Sequence, residues 1–213
     1  MKFISALLII LVSVFVSEKG NKRFNRDIPI EYNDSLWTEI NFKTSGMINS
    51  MAYADTANFM HVKIYPCARC FLRPEVALAL EKANSLAQTK KLRLVIYDCY
   101  RPYGFQKKMY DIVNNPRYVA KPGKGSNHNR GAAVDLALAD ENGQLLDMGN
   151  AFDDFSELSH YTADGITTEA KKNRKILRSI MVKAGFKPYD NEWWHFDYKQ
   201  NIYPVSGFIW KCE

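Results

Sequence analysis

A chain of 213 residues, 46% hydrophobic and 24% charged, is long enough to bury one sizeable core and too apolar to stay disordered. One domain is expected. The formal net charge of +6 permits contact with anionic surfaces, but lysine and arginine are scattered along the chain. No basic tract interleaved with aromatics is present, which argues against nucleic acid as a partner.

Lys2 is followed by an apolar run from Phe3 to Val16, broken only by Ser5 and Ser13. This is the length of a signal-peptide core and shorter than a membrane span. Residues 1–20 are therefore expected to direct export to a periplasmic or extracellular site, with cleavage between Ser17 and Gly20. A clear small-residue cleavage pair is missing, and Lys19, Lys22, Arg23 and Arg26 run against the usual export polarity. An uncleaved anchor that keeps the N-terminus at a membrane is the alternative. Residues 21–213 form the expected mature domain.

Cys67, Cys70, Cys99 and Cys212 then meet an oxidising compartment, where three disulfide pairings are open to them. Cys67 and Cys70 make a C-x-x-C that reads as structural. A redox pair sits at a helix start after a strand, whereas Pro66 precedes this one and Phe71, Leu72, Arg73 and Pro74 follow. A local disulfide, a redox pair and half of a zinc knuckle are the forms such a motif takes.

Residues 21–50 are polar and broken, with Asp27 to Asn33 and Phe42 to Ser50 reading as an extended arm over the core. Tyr53 to Tyr65 is a strand or loop. Pro74 and Glu75 open a helix whose stripe is Val76, Leu80, Ala83 and Ala87, widened by Leu78 and Leu86. Lys91 to Tyr97 is a strand running into Asp98. Phe105 to Val113 reads as a short helix closed by Asn114, Asn115 and Pro116, and residues 114–127 as a long polar connection. Ala132 to Leu138 is apolar enough for a buried strand, yet it carries Asp135, whose carboxylate needs a partner there. Asn142 and Gly143 make a hairpin turn with Gln144 to Met148 returning. Thr168 to Ala184 is a second helix, with Thr168 as candidate cap and Gly185 as its stop. Trp193 to Tyr198 fits a strand, and Asn201 to Glu213 ties the terminus to the body. This grouping predicts an α+β domain, a small antiparallel sheet flanked by helices.

Two short segments carry chemistry. SNHNRGAAVD, from Ser126 to Asp135, places His128 seven residues before Asp135, and EWWH places Glu192 three before His195. Two imidazoles and one carboxylate are the donor set of a mononuclear catalytic Zn2+ site, in which three protein ligands leave a fourth position for water. Glu192 is then spare for proton transfer. A surface or hydrogen-bonded imidazole is the ordinary state of any one histidine; His61, with no carboxylate motif nearby, is read as structural, and His160 as a support behind the site or simply exposed. One geometric condition attaches to EWWH: residues three apart on a straight strand face opposite sides, so Glu192 and His195 reach one ion only across a turn or a bulge. Lys187 to Asn191, with Pro188 and Asp190, is a candidate turn.

Six segments in order, YADTANF at Tyr53, DCYRP at Asp98, SNHNRGAAVD at Ser126, MGNAFDDF at Met148, NRKILRSIMVKAGF at Asn173 and EWWHF at Glu192, closely resemble D-alanyl-D-alanine dipeptidases of the VanX type. These belong to the zinc D,D-peptidases of peptidase family M15, a group that includes carboxypeptidases and some endolysins. The resemblance spans roughly residues 50–200. It implies one Zn2+ held by His128, Asp135 and His195, with Glu192 as catalytic base and Arg101 as stabiliser of the tetrahedral intermediate. It also implies that Asp153, Ser126 and Tyr53 line a pocket for a small D,D-dipeptide. Asn150 and Ala151 depart from the family pattern, which carries a small hydroxyl residue there, and are expected to alter the pocket wall. The implied reaction is zinc-dependent hydrolysis of D-alanyl-D-alanine to two D-alanines. A D,D-carboxypeptidase acting on peptidoglycan stem peptides is the alternative within the enzyme class, and an inactive zinc-stabilised cell-wall-binding protein the alternative outside it. Nothing in the sequence specifies an oligomeric state.

Overall fold

The computed structural model describes residues 36–123, 125–199 and 203–212. The expected leader and the Asp27 to Asn33 part of the arm lie outside the described residues. Among the described residues no helix is long and apolar enough to cross a membrane.

The elements in chain order are β1 (Thr38–Glu39), α1 (Phe42–Ser45), β2 (Ile48–Asn49), β3 (Phe71–Leu72), α2 (Pro74–Gln88), β4 (Leu92–Asp98), α3 (Tyr103–Val113), β5 (Ala133–Asp140), α4 (Thr168–Ala184), β6 (Lys187–Tyr189) and β7 (Glu192–Asp197). β1 and β3 form a two-stranded ribbon, and the main sheet has the order β2-β4-β5-β7-β6. Its pairs are antiparallel except β2 with β4. This is the α+β architecture expected from sequence. β5 lies at the centre and is apolar along most of its length because it is covered on both faces. α2 and α4 pack on each other, α2 also against β4 and α4 against β5 and β6.

Local chemistry explains most of the element ends. α2 begins at Pro74, where the missing N–H costs nothing. α3 stops at Asn114, a left-handed residue with φ 48°. α4 is capped by Thr167, whose hydroxyl accepts from Ala170 N at 3.0 Å, and not by Thr168, the first helical residue. Gly185 closes it at φ 107°, a conformation that favours glycine.

Several expectations are corrected. Leu78 does not widen the buried stripe of α2: it is 72% exposed, and Ala77, Ala79 and Asn84 take the inner positions instead. Phe42 to Ser50 is no extended arm but a helical turn capped by Asn41 and then the edge strand β2. The return after the Asn142–Gly143 turn is a single bridge between Ala139 and Leu145, not a strand. Lys187 to Tyr189, read as part of a turn, is β6.

The C-x-x-C cysteines part company. Cys67 bonds Cys212 and Cys70 bonds Cys99, so the motif forms neither a local disulfide nor a redox pair. The first bridge fixes the tail, whose Trp210 packs among Tyr65, Phe71 and Phe105. The second joins β3 to the end of β4, where the site begins.

Candidate metal centre

Three strands deliver the site as one row. Asp98 at the end of β4 stands opposite Asp135 on β5, and Asp135 stands opposite His195 on β7. A β-bulge between Ile96 and Asp98 brings Asp98 into that row. A second irregularity resolves the EWWH condition. Pro188 pairs with Phe196 while the next residue, Tyr189, pairs with Glu192, so β7 carries extra residues there. Glu192 and His195 thereby line the same cavity.

His128 enters on a 3-10 turn, His128–Arg130, immediately before β5. The chain then reverses at Gly131, at φ 67°, where an added Cβ would stand 2.4 Å from the Trp37 ring. Only glycine fits both the backbone and the space.

Each imidazole is oriented by its far nitrogen. His128 Nδ1 donates to the Cys99 carbonyl at 2.7 Å, which turns Nε2 toward His195 Nδ1 at 3.2 Å and Asp135 Oδ2 at 3.3 Å. His195 Nε2 donates to Asp197 Oδ1 at 3.0 Å and presents Nδ1 to Asp135 Oδ1 at 2.8 Å. Far-side partners of this kind set the tautomer and orientation of metal-ligating histidines. Zinc bonds of about 2.0–2.1 Å at tetrahedral angles require ligand atoms about 3.3 Å apart. The two nitrogens, and His128 Nε2 with Asp135 Oδ2, stand near that spacing, while Asp135 Oδ1 lies closer to His195 Nδ1, and the cluster is suitable for one metal ion.

Electrostatics favour a cation here. Burial raises the Asp135 carboxyl, but His128 and His195 outweigh it and hold the group below the usual carboxylate range. Burial lowers the His195 imidazole, yet Asp135 and Asp197 hold it well above its ordinary value. Asp135 thus places negative charge at the point where the imidazoles converge, while Asp197 acts on the far nitrogen of His195.

The cavity beside the cluster measures about 230 Å³, below the roughly 300–1,000 Å³ usual for ligand pockets. All eight residues singled out in the sequence line it: Tyr53, Arg101, Ser126, His128, Asp135, Asp153, Glu192 and His195. Burial against the cavity wall pushes the Glu192 carboxyl up. Asp153, at φ 59°, is pushed well above the carboxylate range by burial and then by Asp135. The Tyr53 hydroxyl donates to Asp153 Oδ2 at 2.9 Å, and its ring lies 5.0 Å from the Arg101 guanidinium carbon. Burial lowers the Arg101 guanidinium, but Asp98 more than restores it. Ser126 hydrogen-bonds Asn129 through both its amide and its hydroxyl. His61 and His160 are not among the residues that line the cavity.

Sequence reasoning missed the supports: the Cys99 carbonyl, Asp197, Gln106, and aromatic walls from Tyr118, Phe155, Tyr189 and Trp194. Asp197 had a signal, since residues two apart on a strand share a face and His195 would find it there. The others are tertiary. Asn150 is a correction: it is not among the residues that line the cavity. Its Oδ1 accepts from Trp193 Nε1 at 2.8 Å and Arg174 Nη2 at 3.0 Å, and its amide donates to Ser159. It fastens the loop that carries Asp153 from behind.

Three convergent donors with a glutamate and an arginine lining the same cleft are the equipment of a metal-dependent hydrolase. The family model for peptidase M15, described as D-Ala-D-Ala dipeptidase, matches residues 44–209. The chain belongs to that family. It is 41% identical over 163 residues to a D-alanyl-D-alanine dipeptidase of Escherichia coli, covering 76% of this chain and 84% of that one. A D-alanyl-D-alanine dipeptidase of Enterococcus faecium is 35% identical, covering 63% and 76%. Among solved structures, the LdcB LD-carboxypeptidase aligns at 25% identity over 64% of this chain and 60% of that chain, with a TM-score of 0.41.

Proposed function

We propose that this protein is a zinc-dependent dipeptidase of the VanX type that hydrolyses D-alanyl-D-alanine to two D-alanines. The observation that carries the reading is the confinement of every predicted site residue to one cavity of about 230 Å³. Asp153 in that cavity offers a partner to the ammonium of a free dipeptide, which a stem peptide, acylated at the corresponding nitrogen, does not need.

His128 Nε2, Asp135 and His195 Nδ1 are the residues that would hold the metal, and zinc there supplies Lewis acidity toward water and the scissile carbonyl. Glu192 takes the proton from the attacking water. Its raised carboxyl lies nearer neutral pH than an ordinary glutamate, which suits a group that must next return the proton to the leaving amine. Arg101 faces the oxygen on which negative charge develops, where a preorganised cation counts most. Asp153, hydrogen-bonded by Tyr53, is the counter-charge for the dipeptide ammonium, and Ser126 offers a hydroxyl at the same cavity. Residues 21–213 are read as the exported, mature domain; two disulfides support an oxidising location.

The test is amine release from D-Ala-D-Ala compared with an acyl-blocked D-Ala-D-Ala, with and without chelator. Chelator-sensitive turnover of the free dipeptide and little of the blocked one is expected. Preference for the blocked substrate would replace the dipeptidase reading by a carboxypeptidase one.

A further inference from the structure

Asp98 is a fully buried carboxylate to which the proposed reaction gives no part. Its Oδ1 accepts from the Tyr65 hydroxyl at 2.7 Å and the Cys99 amide at 2.9 Å. Its Oδ2 accepts from Arg101 Nε at 3.1 Å and Nη2 at 2.6 Å, and lies 3.6 Å from His128 Nδ1. A buried ion pair as such is weak evidence of anything beyond structure, because the desolvation of both partners offsets much of their attraction.

The donor count of Arg101 adds what the ion pair alone lacks. A guanidinium has five N–H bonds in a fixed plane. Two go to Asp98 and a third, on Nη1, goes to Gln106 Oε1 at 2.9 Å, while Gln106 itself is held by its amide on the Ala120 carbonyl. Two N–H bonds remain beyond those contacts, on a side chain that lines the cavity. The backbone beneath is equally constrained: Arg101 N donates to the His128 carbonyl at 3.0 Å, and Asn129 donates to the Arg101 carbonyl at 2.8 Å. Fixing the plane on two sides determines where the remaining donors point.

We propose that Asp98 is a positioning residue that aims the two remaining N–H bonds of Arg101 at the reacting carbonyl, with Tyr65 steadying Asp98 from behind. The inference rests on the role given above to Arg101. Asp98 Oδ2 stands 3.6 Å from His128 Nδ1, beyond hydrogen-bond reach, and His128 keeps the Cys99 carbonyl at 2.7 Å as its partner, so the metal ligands do not depend on Asp98.

A double-mutant cycle on the full-length, zinc-loaded protein tests it, with kcat and KM measured on D-Ala-D-Ala and zinc content by atomic absorption. R101A is expected to lower kcat by roughly 10²–10³-fold. D98N should lower kcat at least about tenfold, with KM shifted less than about threefold and zinc stoichiometric. The D98N/R101A pair should be no slower than R101A alone, since residues that act as a unit are not additive. Losses that multiply in the double variant would show that Asp98 acts on the fold rather than through Arg101, and overturn the inference. So would D98N with wild-type kcat while R101A is impaired. Wild-type kcat in R101A would instead sink the role of Arg101, and this inference with it. Should D98N not fold, Y65F completes the same cycle: its smaller loss of kcat is expected to vanish in the R101A background, and persistence there overturns the inference.

Discussion

Tyr53 and Asp153, a hundred residues apart, meet in the cavity wall through a 2.9 Å hydrogen bond from the Tyr53 hydroxyl to Asp153 Oδ2. Burial holds the Asp153 carboxyl well above its ordinary value, so before substrate binds it keeps its proton to a higher pH than a surface aspartate does. Only the ionised form pairs with an ammonium. KM for D-Ala-D-Ala should therefore rise as pH falls through that raised value and level off above it. D153N should remove this dependence and raise KM roughly ten- to a hundredfold, the equivalent of a charge-assisted hydrogen bond of about 1.5–3 kcal/mol. A D153N enzyme whose KM keeps the wild-type pH dependence would remove Asp153 from ammonium recognition.

Glu192 lines the cavity beside the three donor atoms but does not belong to their cluster. E192A should accordingly keep close to one zinc per chain while kcat falls by roughly 10²–10⁴-fold, the range for loss of a general acid–base group. Metal analysis and steady-state kinetics on the same preparation check this. A loss of zinc as large as the loss of rate would make Glu192 a ligand rather than a base.

The donor triad predicts the opposite pattern. H128A, D135A and H195A should each lower zinc content and turnover together, and a chelator should abolish wild-type activity reversibly, zinc restoring it. D197A tests the orientation of His195 Nδ1 through its far nitrogen: about 10–100-fold weaker zinc binding in a competition titration is expected, with activity recoverable at high zinc. Unchanged affinity would mean that His195 is held by packing alone.

The parts of the molecule that were legible in the sequence are those governed by local periodicity or by a motif. α2 and α4 follow from apolar stripes with Pro74 and Gly185 at their limits, and β5 from its apolar run. That His128, Asp135 and His195 would cluster follows from spacing and family likeness, and that Glu192 and Arg101 would share their cavity from family likeness. What was not legible depends on register and on chain partners far away. A bulge in β7 is invisible in EWWH itself, which only demands that some irregularity exist. Leu78 has the residue type of a core position, yet the helix turns it outward because small residues on the inner side let α2 approach its neighbours. Asn150 lies in a pocket motif but bonds Arg174 and Trp193, partners that no local pattern connects to it.

The two disulfides have separable consequences. Cys67–Cys212 closes a sequence separation of 145 residues and Cys70–Cys99 one of 29, so chain entropy assigns them about 5 and about 3.6 kcal/mol respectively. Their positions reverse that ranking for the site. Cys99 presents the carbonyl that orients His128 and adjoins Asp98, whereas Cys212 lies beyond Phe208 and Trp210, two residues that bury the tail without it. C67A/C212A should therefore lower the melting temperature by about 10–20 °C, at about 2–4 °C per kcal/mol for a chain of this size, and leave zinc affinity unchanged. C70A/C99A should melt less early yet bind zinc more weakly, because the end of β4 loses its tie to β3 and the Cys99 carbonyl its fixed place. Parallel thermal melts and zinc titrations distinguish the two. Equal zinc affinity in both variants would show that the hydrogen bonds of Asp98 hold the strand end without help from the disulfide.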